Sequence, residues 1–264
     1  MRKEITSTSN SLIKHIIQLQ KKSKVRRTEK EFIIEGAQEL QLALKSGYSI
    51  KQVLVCFKIF DFEISLEEIG CEIIEISKEV FEKLAYRSTT GGIVGIAEAL
   101  KLNLNELKFN TSTPLVVVAE APEKPGNIGA LLRTCDAAQA DAFILADPKT
   151  DLYNPNIIRS SVGTVFTNQV AIGSTSEIID YLRKMNIQIY AAALQNSTSY
   201  LEEDFKNATA IVLGTEHEGL TEDWRTHADK IIKIPMQGKV DSLNVSVSAA
   251  ILIFEAKRQR YNLQ

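Results

Sequence analysis

From Pro114 onward the chain runs in short apolar bursts separated by polar stretches. The bursts "LVVVAEA", "AFILAD", "NQVAI", "IQIYAAAL", "TAIVLG" and "KIIKIP" read as β-strands. Between them the pattern predicts helices around 128–139, 155–162, 176–185 and 221–227, with a last helix from about 244. Short, nearly continuous apolar strands alternating with helices predict a mostly parallel α/β sheet covered on both faces. In such sheets ligands sit beyond the carboxyl ends of the strands. In the last helix Val247, Ala250, Ile251 and Phe254 recur at helical spacing, which predicts an amphipathic helix closed by the mostly basic "EAKRQR".

The first part reads as a smaller α/β unit. A helix over 10–22 leads into the basic "KKSKVRRTEK". "EFIIEGAQELQLALKSG" reads as a strand edge running into a helix with Gly47 near its end. "IKQVLVCF" and "CEIIEIS" read as strands, "KEVFEKLAYRS" as a helix and "GGIVGIAEA" as a further strand. The expected division is residues 1–97, a linker over 98–113, and a second domain over 114–264.

Composition narrows the class. With 264 residues and 44% apolar content the chain can bury one large core or two smaller ones. Three Cys without a C-x-x-C, and three His without H-E-x-x-H, give no metal-ligand spacing, so no metal is expected. The N-terminus lacks the apolar core of a signal peptide and no 18-residue apolar run occurs, so a cytoplasmic protein without a membrane span is expected. Net charge is −2, yet residues 1–30 hold nine Lys and Arg against Glu4 and Glu29. Lys21, Lys22, Lys24, Arg26 and Arg27 fit a local phosphate-binding surface, and equally a solvated helix end and loop.

Three polar or glycine-rich loops follow predicted strands. "EAPEKPGNIGALLRTCDAA" places Asn127 where a helix begins, with Arg133 a little under two turns on. An ordinary N-cap and surface arginine would look the same. "IVLGTEHEGLTEDW" has strand, Gly214, acidic loop, Gly219 and helix, without dinucleotide or P-loop glycine spacing. Glu216 and Glu218 would repel a phosphate and tolerate a cationic or hydroxyl-bearing ligand; a charged surface turn is the plain alternative. "MQGKVDSLN" offers main-chain groups, hydroxyls and an amide beside a helix start, with Ser242 or Asn244 as N-cap. Together they describe a small-molecule pocket built largely of backbone groups.

"NIGALLRT", "VLGTEHEGL" and "IPMQGKVDSLNVSVSAA" resemble, in order, the three motifs of SpoU/TrmH-type RNA ribose 2'-O-methyltransferases, and "DLYNPNIIRSSVGTVF" is similar to that family's usual continuation. The resemblance covers 114–264; residues 1–97 resemble the family's L30e-like substrate-recognition domain, where "FIIEGAQELQLAL" matches approximately. It implies an α/β fold with a deep trefoil knot and S-adenosylmethionine held by main-chain groups of Leu194, Gly214, Ile234 and Leu243, with Ser242 and Asn244 nearby. By the same resemblance Asn127, Arg133, Glu218 and Asn244 are the catalytic group, Ser246 is a further polar motif position and Arg159 contacts RNA. His217 reads as loop variation. The family also implies a homodimer through the C-terminal domain. The separate N-terminal domain favours 23S ribosomal RNA as substrate; a tRNA ribose methyltransferase and a catalytically silent RNA-binding protein on the same fold stay open.

Overall fold

In a computed structural model of the chain, which describes residues 3–62, 69–85, 91–214 and 219–261, the apolar bursts become the strands of two sheets. Two units result: Met1–Lys101 with Asp151–Thr167, and Leu102–Thr150 with Asn168–Gln264.

The first unit begins with β1 (Lys3–Ile5), α1 (Ser11–Lys21), α2 (Ser23–Glu29) and β2 (Glu31–Glu35). It continues with α3 (Ala37–Lys45), β3 (Ile50–Val55), β4 (Glu72–Ile76), α4 (Lys78–Leu84) and β5 (Ile93–Glu98). Its mixed sheet has the order β1-β4-β3-β5-β2, with β5 antiparallel to both neighbours. Asn10 caps α1 by accepting from the Leu12 N–H, and the helix buries Ile13, Ile16 and Leu19 at three-residue spacing. That stripe packs with Ile33, Leu54, Ile74 and the α4 residues Val80, Phe81 and Leu84.

The second unit opens with β6 (Leu115–Glu120), α5 (Pro125–Ala137) and β7 (Ala142–Ala146). The chain then gives α6 (Pro155–Ser160) and α7 (Thr164–Thr167) to the first unit. The compact units thus differ from a single break at 114, with 151–167 lying in the first. The reason is an aromatic cluster: Tyr153 stacks on Phe32 at 4.2 Å between ring centroids, and Phe166 meets Tyr48 edge-on at 5.0 Å. The expected linker is divided as well. Leu102 onward belongs to the second unit, where Leu104, Leu107 and Phe109 lie against its core and the Gln169 side chain bonds both main-chain groups of Lys108.

The second unit continues with β8 (Val170–Gly173), α8 (Thr175–Lys184), β9 (Gln188–Ala192), β10 (Thr198–Ser199), β11 (Thr209–Leu213), α9 (Glu222–His227), β12 (Lys230–Lys233) and α10 (Val245–Arg260). Its seven strands are all parallel, in the order β10-β12-β9-β11-β6-β7-β8. Alternate residues serve opposite faces. Val116, Val118, Ile144, Ala191 and Val212 meet α8 and α9, including the fully buried Trp224. The intervening Val117, Phe143, Leu145 and Ile211 are equally buried on the other face, where α5 and α10 pack together. A Ser174–Glu177 capping box starts α8.

The last helix departs from its expected phase. Its buried residues are Ala249, Leu252, Ile253 and Ala256, whereas Val247 and Phe254 are 47% and 50% exposed. Thus α10 is apolar on two faces, one against the sheet and α5, the other at the surface.

Candidate active site

Parallel strands bring their carboxyl ends to one edge, and the second unit's cavity lies there. It measures about 600 Å³ and is bounded by the ends of β9, β11 and β12, the segment 236–245 and the start of α10. Leu194, Gly214, Ile234, Ser242 and Leu243, from three separate stretches of the chain, all line it, and so does Asn244. Leu194 and Leu243 are 54% and 39% exposed, so they are wall residues of an open site and not core. The size falls in the range of small-molecule sites.

A hydrogen bond joins the first and third motifs. Asn127, in the first turn of α5, accepts from the Asn244 Nδ2 at 3.2 Å. The Asn244 Oδ1 meanwhile accepts from the Ser246 N–H at 2.9 Å and its hydroxyl at 2.6 Å, which caps α10. Asn244 therefore orients the last helix and the first motif together. The helix expected from 128 begins at Pro125, so its first turn includes Gly126 and Asn127. Arg133 is exposed on α5, with no hydrogen-bond or ion-pair partner among the described residues, and neither it nor Asn127 lines the cavity of its own chain. Glu218, with Glu216 and His217, lies outside the described residues.

In the second motif the backbone narrows to a neck where Gly214 meets Leu220. A Cβ on Gly214 would stand 2.5 Å from the Leu220 N and 2.8 Å from its Cα, so only glycine lets these backbones close. Next to Leu220, Thr221 gives its N–H and hydroxyl to the carboxylate of Glu120, at 2.9 and 2.6 Å. Glu120 is 3% exposed, at the end of β6. Sequence reasoning passed over it because its partner is 101 residues away; a lone acid ending an apolar strand was the available signal.

The candidate RNA contacts divide. Lys21, Lys22, Lys24 and Arg27 are exposed on and beside α2, a helix where the sequence suggested a helix end and loop. Arg26 is the correction: it is 5% exposed, with Nε and Nη2 on the Asp151 carboxylate at 2.9 and 2.6 Å and Nη1 on the Leu19 and Gln20 carbonyls. It closes the open carbonyls at the end of α1 and is withdrawn from the surface. Arg159, on α6 of the same unit, is half-buried and donates to Asn156 Oδ1 at 2.6 Å. The structure also gathers His15, Glu29 and Glu31, which sequence spacing did not suggest. His15 bridges both carboxylates and Lys51 bonds Glu31 at 2.7 Å. Burial opposes the Glu31 charge, but the bonds from Lys51 and His15 outweigh it and hold its carboxyl below the usual range.

A parallel α/β sheet with a cavity of strand ends and glycine-rich loops at its carboxyl edge defines a small-molecule-binding α/β protein. Residues 114–254 match the SpoU rRNA Methylase family and residues 10–95 the MRM3-like substrate binding domain. The 23S rRNA (guanosine(2553)-2'-O)-methyltransferase RlmP of Bacillus subtilis is 30% identical over 97% of this chain and 99% of its own length. An AdoMet-bound rRNA methyltransferase from Sinorhizobium meliloti superposes with a TM-score of 0.88 at 29% identity, covering 97% of each chain. A crystal structure of an RNA 2'-O ribose methyltransferase gives 0.82 at 38% identity, covering 98% of this chain and 99% of the other. The chain belongs to the SpoU rRNA Methylase family.

Proposed function

We infer that this chain methylates a ribose 2'-hydroxyl of 23S ribosomal RNA with S-adenosylmethionine as methyl donor. The observation that carries the inference is the convergence of Leu194, Gly214, Ile234, Ser242 and Leu243 on one cavity at the sheet's carboxyl edge. The cavity fits the cofactor's chemistry. Strand ends and the 236–245 segment supply main-chain donors and acceptors, Leu243 and Leu252 supply apolar wall for a purine, and Asp241 supplies a carboxylate for a cationic group. Leu194, Gly214, Ile234, Ser242 and Leu243 are the residues that would hold it. When bound, the cofactor supplies a methyl group on a sulfonium, an electrophile for an oxygen nucleophile.

The chain's own residues hold the RNA and manage its proton. Arg133 acts through its charge and its planar fork of donors. It clamps the phosphate beside the target ribose and stabilises charge growing on the 2'-oxygen as the proton leaves to solvent. The hydrogen-bonded Asn127 and Asn244 orient the ribose, and Glu218 is assigned to the same polar group. Arg133 serves a cavity across a homodimer interface. Its absence from the wall of its own cavity and the exposed apolar face of α10, Val247 and Phe254, support this arrangement. The trefoil knot of the family and a cytoplasmic location, where ribosomal RNA is available, complete the proposal; no described helix is long and apolar enough to cross a membrane. The unit with Lys21, Lys22, Lys24, Arg27 and Arg159 carries the RNA-recognition surface.

Calorimetry on metal-stripped protein tests the assignment. Binding of both S-adenosylmethionine and S-adenosylhomocysteine is expected, with light scattering of the same sample giving twice the mass of one chain. Binding of NAD and of neither cofactor form would overturn the cofactor assignment; a monomer mass would overturn the shared site.

A further inference from the structure

A buried carboxylate is costly unless its oxygens are satisfied. Among the described residues Glu120 meets that condition through Thr221, accepting its N–H and its hydroxyl on its two oxygens. Thr221 is the N-cap of α9, yet its hydroxyl makes no capping bond; it is committed to Glu120. Two chain features meet at this clamp. Ala121, directly after Glu120, has φ +43°, so the first-motif loop turns away at this residue. Leu220, directly before Thr221, forms cavity wall and touches the Gly214 backbone.

Given a cofactor in that cavity, we propose that Glu120 is a positioning residue for cofactor binding, its carboxylate fixing Thr221 and thereby the Gly214–Leu220 neck in the shape that binds S-adenosylmethionine. The neck has no slack, since Gly214 already lies against Leu220 too closely to admit a methyl group. Displacement of Thr221 therefore passes to its neighbour Leu220, in the wall. The proposal presupposes the cofactor assignment above and adds to it a residue that does not itself line the cavity.

Calorimetry with S-adenosylhomocysteine on the full chain, well below its unfolding temperature, tests the clamp. Glu120→Gln and Thr221→Val should each weaken binding about tenfold, the scale of one hydrogen bond to a charged group. Thr221→Ser keeps both donors and should bind like wild type. The double variant Glu120→Gln/Thr221→Val should bind no more weakly than the weaker single variant, because each change breaks the same link. A purely structural role would lower the melting temperature while leaving affinity below it unmoved. Wild-type affinity in Glu120→Gln, or losses that multiply in the double variant, would overturn the proposal. Should Glu120→Gln fail to fold, Thr221→Val against Thr221→Ser decides alone: equal affinities overturn it. Failure of the wild-type chain to bind removes the cofactor assignment itself, an outcome distinct from wild-type binding that the variants do not change.

Discussion

Arg133→Ala is expected to lower the single-turnover methylation rate by about 10²-fold or more, the scale of losing a catalytic electrostatic group. Fold and cofactor affinity should stay as they are, because Arg133 is exposed on α5 and its proposed partners are the RNA phosphate and 2'-oxygen, not the cofactor. Nothing among the described residues consumes its charge, so the guanidinium is available to a phosphate or a developing oxyanion. Arg133→Lys should recover only part of the rate, since an ammonium lacks the planar fork that grips two oxygens. The pH profile separates two roles. A base would give a rate limb rising with pH that vanishes in the Ala variant; a clamp lowers the rate at every pH and leaves the shape unchanged. We expect the second pattern. A wild-type rate for Arg133→Ala under saturating RNA would remove the arginine from the chemistry.

Arg26 should behave oppositely to the cations around it. Arg26→Ala leaves Asp151, itself only 12% exposed, without its bidentate partner and opens the Leu19 and Gln20 carbonyls at the end of α1. Breaking a buried pair on one side costs about 3–5 kcal/mol. For a unit of this size, that is a fall in its melting midpoint on the order of 10 °C or more. Replacing Lys21, Lys22, Lys24 and Arg27 together should leave the midpoint nearly unchanged, since all four are exposed. It should weaken RNA binding and flatten its salt dependence, each lost phosphate contact lowering the slope of log affinity against log salt by about 0.7 to 0.9. Thermal melts and RNA titrations at several salt concentrations check both halves. An unchanged slope assigns the four charges to solvent; an unchanged midpoint in Arg26→Ala contradicts the anchoring role.

That contrast shows where sequence reading stops. A run of Lys and Arg reports charge, and five neighbouring cations look alike until the fold brings Asp151 to one of them from 125 residues away. The parallel sheet was legible because its strands are apolar on both faces, a pattern local to each strand. The two- and three-residue strands β10 and β1 carry too few positions for any period and were not seen. In α10 the signal was present but its phase was ambiguous. A helix apolar nearly all round allows more than one stripe, and the one with Val247 and Phe254 proved to be the exposed one. The cavity residues Leu194, Gly214, Ile234, Ser242 and Leu243 follow from motif resemblance, and the fold brings their three chain stretches together. Glu120 and Thr221 form a pair that neither motif nor period announces, since their relation exists only across the sheet edge.

Alkaline hydrolysis reads methyl transfer to a ribose oxygen of 23S ribosomal RNA directly. RNA hydrolyses in alkali when a 2'-oxygen attacks the adjacent phosphate, and a 2'-O-methyl group blocks that one linkage. The purified protein is incubated with methyl-labelled S-adenosylmethionine and 23S RNA lacking the modification, then the RNA is digested in alkali. We predict that the label appears in a single alkali-resistant dinucleotide. Label in ordinary mononucleotides would place the methyl on a base, and label in tRNA but none in 23S RNA would reassign the substrate; either result overturns ribose methylation of 23S RNA by this chain.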